Sequence, residues 1–137
     1  MNSLITELYN DKNIKNMDKL IINASRDGNV NMMNELLAKG ANKNATDDIG
    51  MTPLLYACVF GHADIVDILL HAGACNIAAC MMASSPLIMA TIYRRTDVVK
   101  VLVSYGEAID EQDHNGINAI TYAKRGGYNE IIELLEQ

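Results

Sequence analysis

Apolar positions in this chain come in short clusters closed by glycine. The clearest stretch is "GMTPLLYACVFGHADIVDILLHAGA", residues 50–74. Thr52 can accept a bond from a free backbone N–H at a helix start, and Pro53 suits the first helical position. Gly61 can take the left-handed conformation that ends a helix. The pattern therefore predicts a first helix from about Thr52 to Phe60. A second runs from about Ala63 to His71, with Ile65, Val66, Leu69 and Leu70 on one face and Gly73 as its stop.

The same marks recur 33 residues apart. Ala24, Ala57, Ala90 and Ala123 share one register. Gly28, Gly61, Arg94 and Gly127 form another column, as do Leu36, Leu69, Leu102 and Leu135. Leu20, Pro53, Pro86 and Ala119 hold the helix start, and Gly40, Gly73 and Gly106 hold the second stop. Helices of about nine residues are marginal alone in water. Stacked pairs bury one another's apolar faces, so the period predicts a solenoid stabilised by neighbour contacts. The column of alanines keeps the layers close.

The second copy resembles an ankyrin repeat, whose motif runs Gly-x-Thr-Pro-Leu, Ala, Gly-His, Ile-Val-x-x-Leu-Leu and Gly-Ala. Its 33-residue period belongs to that family. The resemblance covers about residues 14–137. It implies an all-α ankyrin-repeat solenoid, with about four helix-turn-helix layers joined by β-hairpin-like loops. The expected division is an N-terminal extension or extra helix at 1–13, then repeats at 14–46, 47–79, 80–112 and 113–137. The first copy has Lys19-Leu20 in place of Thr-Pro. The third has Arg94-Arg95 for Gly61-His62, and the fourth has Asn118-Ala119-Ile120 for Thr-Pro-Leu. Terminal layers are expected to differ, since each must face water on one side. Glu130, Glu133 and Glu136 supply such a face, which speaks for a closed array rather than a fragment.

Composition narrows the function. The 137 residues suit one domain, half of them are hydrophobic, and one Phe and no Trp leave the core to Leu, Ile, Val, Met and Ala. A net charge of −6 disfavours nucleic acid and anionic membranes, which require clustered cations. No run of 18 apolar residues is present, so no membrane span is expected. The opening "MNSLITELYNDKN" lacks the form of a signal peptide. With three cysteines it points to an intracellular, reducing setting, cytoplasmic or nuclear.

Candidate chemistry is sparse. There is no phosphate loop, dinucleotide fingerprint or nucleophile elbow. His62 is accounted for by the repeat. His71, Cys75 and Cys80 form the alternative reading, a metal-binding or enzymatic protein, but a structural zinc site needs a fourth ligand. Cys58 is expected to be a small core residue. "Glu111-x-Asp113-x-Asn115-Gly116" resembles half a calcium loop, but Tyr122 stands where the loop requires glutamate. Asp113 and Gly116 read better as turn residues, like Asp47 and Gly50. The chain is expected to be neither an enzyme nor a cofactor carrier.

What remains are positions the repeat leaves free. The resemblance implies a partner surface made of hairpin tips and first helices. By register these offer Ile49, Met51, Val59, Phe60, Met81, Met82, Ile92 and Tyr93, with Arg95 and Arg125 at one edge. Contiguous exposed apolar surface marks interaction sites. Arg94, Arg95, Lys124 and Arg125 converge by register. They are read either as a contact for an acidic or phosphorylated segment, or as a solvated face neutralising Asp97 or Glu130. The expected function is a monomeric adaptor, scaffold or inhibitor that binds another protein.

Overall fold

The computed structural model describes residues 11–74, 85–106 and 109–137. Helices pair as α1 (Asp11–Asp27) with α2 (Val30–Ala38) and α3 (Pro53–Phe60) with α4 (Ala63–His71). They continue as α5 (Pro86–Ile92) with α6 (Thr96–Ser104) and α7 (Ala119–Gly126) with α8 (Asn129–Glu136). The first helices stack α1 on α3 on α5 on α7, and the second helices stack α2 on α4 on α6 on α8. Among the described residues the result is the expected all-α solenoid, with four two-helix layers.

The register columns explain the build. Thr52, Ser85 and Asn118 each cap a first helix, accepting from the N–H of Leu55, Ile88 and Thr121 at 3.2, 3.1 and 3.1 Å. Lys19 has no such capping side chain, and nothing stops the helix there. α1 therefore runs through Asp11–Asp27 as one helix of 17 residues, across the expected boundary at 13/14. Most of the expected N-terminal extension or extra helix at 1–13, residues 1–10, lies outside the described residues.

Ala57, Ala90 and Ala123 are fully buried, and Ala24 nearly so. Each alanine carbonyl also closes the turn between its two helices, accepting from the N–H of Asn29, His62, Arg95 or Tyr128. That closure needs a left-handed residue just before the donor. Gly28, Gly61 and Gly127 supply it at φ 75°, 79° and 70°, and Arg94 adopts the same conformation at φ 57°.

Two of these turns are also tied across layers. The last turn of a helix leaves carbonyls without a partner. His62 Nε2 donates to the Arg26 carbonyl at 2.8 Å, and Arg95 Nε donates to the Val59 carbonyl at 2.9 Å. Both links join one layer to the layer before it at the same register. In the fourth layer the position belongs to Tyr128, and the Arg94 guanidinium lies 5.0 Å from its ring centre.

Candidate protein-binding face

The hairpin before α3 is held by one carboxylate. Asp47 Oδ1 accepts from the N–H of Ile49 at 3.1 Å and of Met51 at 2.9 Å, and Asp47 Oδ2 accepts from the Tyr56 hydroxyl. The hairpin before α7 repeats this arrangement. Asp113 Oδ1 accepts from Asn115 and Ile117, and its Oδ2 from the Tyr122 hydroxyl. Gln112 and Asn118 form an antiparallel bridge across that loop. The calcium-like spelling around Asp113 is thus the spelling of a turn.

This geometry shifts the acids and phenols in opposite directions. Burial pushes the Asp47 carboxyl up, but the Tyr56 hydroxyl and the backbone N–H groups outweigh it and hold the carboxyl below its ordinary value. The Tyr122 hydroxyl and two N–H groups lower Asp113 likewise. Tyr56 and Tyr122 are raised, chiefly by the carboxylates they donate to. A depressed Asp stabilises the fold above its unfolded value near ~3.9, and this is lost as pH falls through the folded value. A raised Tyr stabilises the fold below about 10, and this is lost as pH rises through the folded value. The Tyr56→Phe, Tyr122→Phe variant should therefore lose less stability than the parent at both pH extremes. Urea midpoints measured across pH check this; parallel curves for the two proteins would contradict it.

The expected partner residues separate once the side chains are placed. Phe60, Ile92 and Tyr93 are 46%, 39% and 49% exposed, and Ile49 at the first hairpin tip is 64% exposed. Phe60 stacks on Tyr56 with ring centres 6.4 Å apart. Phe60 and Tyr93 hold one register at the ends of α3 and α5, and Val59 and Ile92 hold the neighbouring one. Val59 is half-buried and packs against Met51 and Leu55. Arg125 is exposed in the last turn of α7.

Met51, expected at the partner surface, is instead buried, only 5% exposed, and cannot present itself to a partner. Left-handed Gly50 and two hydrogen bonds, Met51 N–H to Asp47 Oδ1 and Asp47 N–H to the Met51 carbonyl, fold the chain back, so Met51 packs beneath the face with Leu55, Tyr56 and Met89. Arg95 is also only half free, since its Nε is committed to Val59. Met81 and Met82 lie outside the described residues. Lys124 pairs with Glu136 at 3.6 Å, rather than with Glu130.

For the metal reading, His71 is exposed at the end of α4, and Cys75 and Cys80 lie outside the described residues. Cys58 is buried in the core, as expected. No helix among the described residues is long and apolar enough to cross a membrane.

A family model of ankyrin repeats, in three copies, matches residues 1–80, more than half of the chain. This protein belongs to the ankyrin repeat family. An ankyrin repeat protein of Fowlpox virus (strain NVSL) is 38% identical over 66 residues, which cover 46% of this chain and 47% of that protein. The chain thus matches about half the length of that curated relative. Ankyrin repeats are in general protein–protein interaction modules, and the family is typically non-enzymatic.

Proposed function

We propose that this chain is a non-catalytic adaptor, scaffold or inhibitor that binds one partner protein across its first-helix and hairpin face. One observation carries the reading. Phe60 and Tyr93 stand exposed at matching register in successive layers, with exposed Ile92 at the neighbouring one, although the buried face of each helix is already satisfied. Rigid aromatic side chains at the centre of a patch are typical interface anchors. Ile49 extends the patch toward the hairpin tip, and Val59 supports it from below. Arg125 lies at its edge, where a charge sets register and approach more than affinity. The protein acts as a monomer, inside the cell, in cytoplasm or nucleus.

Photo-crosslinking tests the face. A benzophenone side chain placed at position 60 or 93 should capture the partner in cell extract, and one at Lys100, on the exposed side of α6, should not. Capture from position 100 alone would overturn the assignment.

A further inference from the structure

In the second to fourth layers the first and second helices differ in charge more than their shared register requires. From Pro53 onward the first helices α3, α5 and α7 contain no acidic residue. The second helices α4, α6 and α8 carry Asp64, Asp67, Asp97, Glu130, Glu133 and Glu136. In a chain of net charge −6, the helices of this face in the second to fourth layers therefore repel a carboxylate less than the second helices do. Among the described residues, the acidic residues of this face are confined to α1 and to the hairpins at Asp47, Asp48, Asp110, Glu111 and Asp113.

The cations on that face and at the turn beside it are unequally committed. Lys124 is held by Glu136, and Arg95 by the Val59 carbonyl. Arg94 and Arg125 are both exposed. The Arg94 guanidinium lies 5.0 Å from the ring centre of Tyr128, which keeps its charge beside the start of α8. Its left-handed backbone, at a position where the other layers have glycine, fixes where that side chain leaves the chain. The face thus reads in order along the stack. Apolar anchors stand on the second and third layers at Phe60, Ile92 and Tyr93, and the exposed Arg125 stands on the fourth, with Arg94 reaching it from the turn before α6.

We infer that the partner docks by a peptide segment with two bulky apolar side chains followed by aspartate or glutamate, the acidic end lying over the fourth layer. This rests on the first-helix face being the binding face. Helix layers pack about 8–10 Å apart. The apolar pair is then about three residues apart in an extended segment, or about six or seven in a helical one. The carboxylates contribute register and direction, because exposed charge pairs give little affinity while mismatched charges are rejected.

Immobilised peptides test this. Each carries two leucines three or seven residues apart, followed by three Glu, three Ser or three Lys residues. The full chain should retain the Glu set at least about fivefold better than the Lys set, with the difference shrinking as salt rises. Arg125→Glu should move the preference toward Lys. Arg125→Gln, which adds no repulsive charge, should abolish most of it. Lys124→Gln should leave it unchanged. Equal retention of all sets, or retention of none, overturns the inference. If Ser and Glu peptides bind equally and Phe60→Glu releases both, the acidic preference falls and the face stands. If Glu peptides bind and neither Phe60→Glu nor Tyr93→Glu affects them, the face itself is wrong.

Discussion

Replacing Leu102 by alanine should cost about 3–5 kcal/mol of folding stability, against about 2 kcal/mol for Leu135→Ala. Both leucines occupy one column of the repeat, and both are buried. They differ in what surrounds them. Leu102 lies in α6, which packs on α4 on one side and α8 on the other. Leu135 lies in α8, with a helical neighbour on one side only among the described residues. The shell around Leu102 is thus fixed on both sides and cannot collapse into the cavity left by a smaller side chain. Terminal layers can fray and relax, which lowers the cost. Leu69→Ala, also fully buried and between two neighbours, should behave like Leu102→Ala. Urea unfolding of the three variants measures the difference. Equal losses at positions 69, 102 and 135 would show that stability is not a sum over neighbouring layers.

The second large effect belongs to the turn glycines. Gly28→Ala should destabilise the fold by about 2–3 kcal/mol, and Gly127→Ala by only about 1 kcal/mol. The backbone penalty is shared, since the residues have φ 75° and 70°. The surroundings are not. A Cβ on Gly28 would stand 2.7 Å from His62 Nδ1, and the ring cannot swing away without losing its bond to the Arg26 carbonyl. A Cβ on Gly127 meets nothing within 4 Å. Gly61→Ala should fall near Gly28→Ala, because its Cβ would meet Arg95 Cδ at 2.9 Å while Arg95 Nε is tied to Val59. Thermal or urea unfolding ranks the three. In the Gly28→Ala, His62→Ala double variant the clash disappears, so its cost should be less than the sum of the single costs. Strict additivity would rule out the contact as the cause.

The repeat made most of this fold legible in the sequence. Thr52 as cap, Pro53 at the first position, Gly61 as stop and Ala63–His71 as the second helix are each local signals with a physical cause, and the structure has them where the spacing puts them. The first layer was harder to bound. Its helix start is marked only by the absence of a capping residue at Lys19, and a missing signal does not locate a boundary.

Side-chain direction was the least legible. Met51 reads as a hairpin-tip residue from its register, yet it is buried. Its fate is set by the Asp47 carboxylate and the left-handed Gly50, which together reverse the chain. The Asp47–Tyr56 and Asp113–Tyr122 bonds had a usable signal that the column of glycines obscured. Both pairs are nine residues apart, and they lie two repeat lengths from each other. Phe60, Ile92 and Tyr93 were found because they fill positions the repeat leaves free, and exposure is what the structure adds to them. The sharing out of the four cations needed coordinates, since pairing by register alone gives Lys124 no reason to prefer Glu136 over Glu130.

The central claim is that the partner lies on the first-helix face. The direct measurement is quantitative affinity capture with the parent chain, with the Phe60→Glu, Tyr93→Glu variant, and with Lys100→Glu on the exposed side of α6 as the control. Matched unfolding midpoints must first show that all three are folded. The account predicts that the parent and Lys100→Glu recover the same partner and that the double variant recovers none. A folded double variant that keeps every partner of the parent would contradict it.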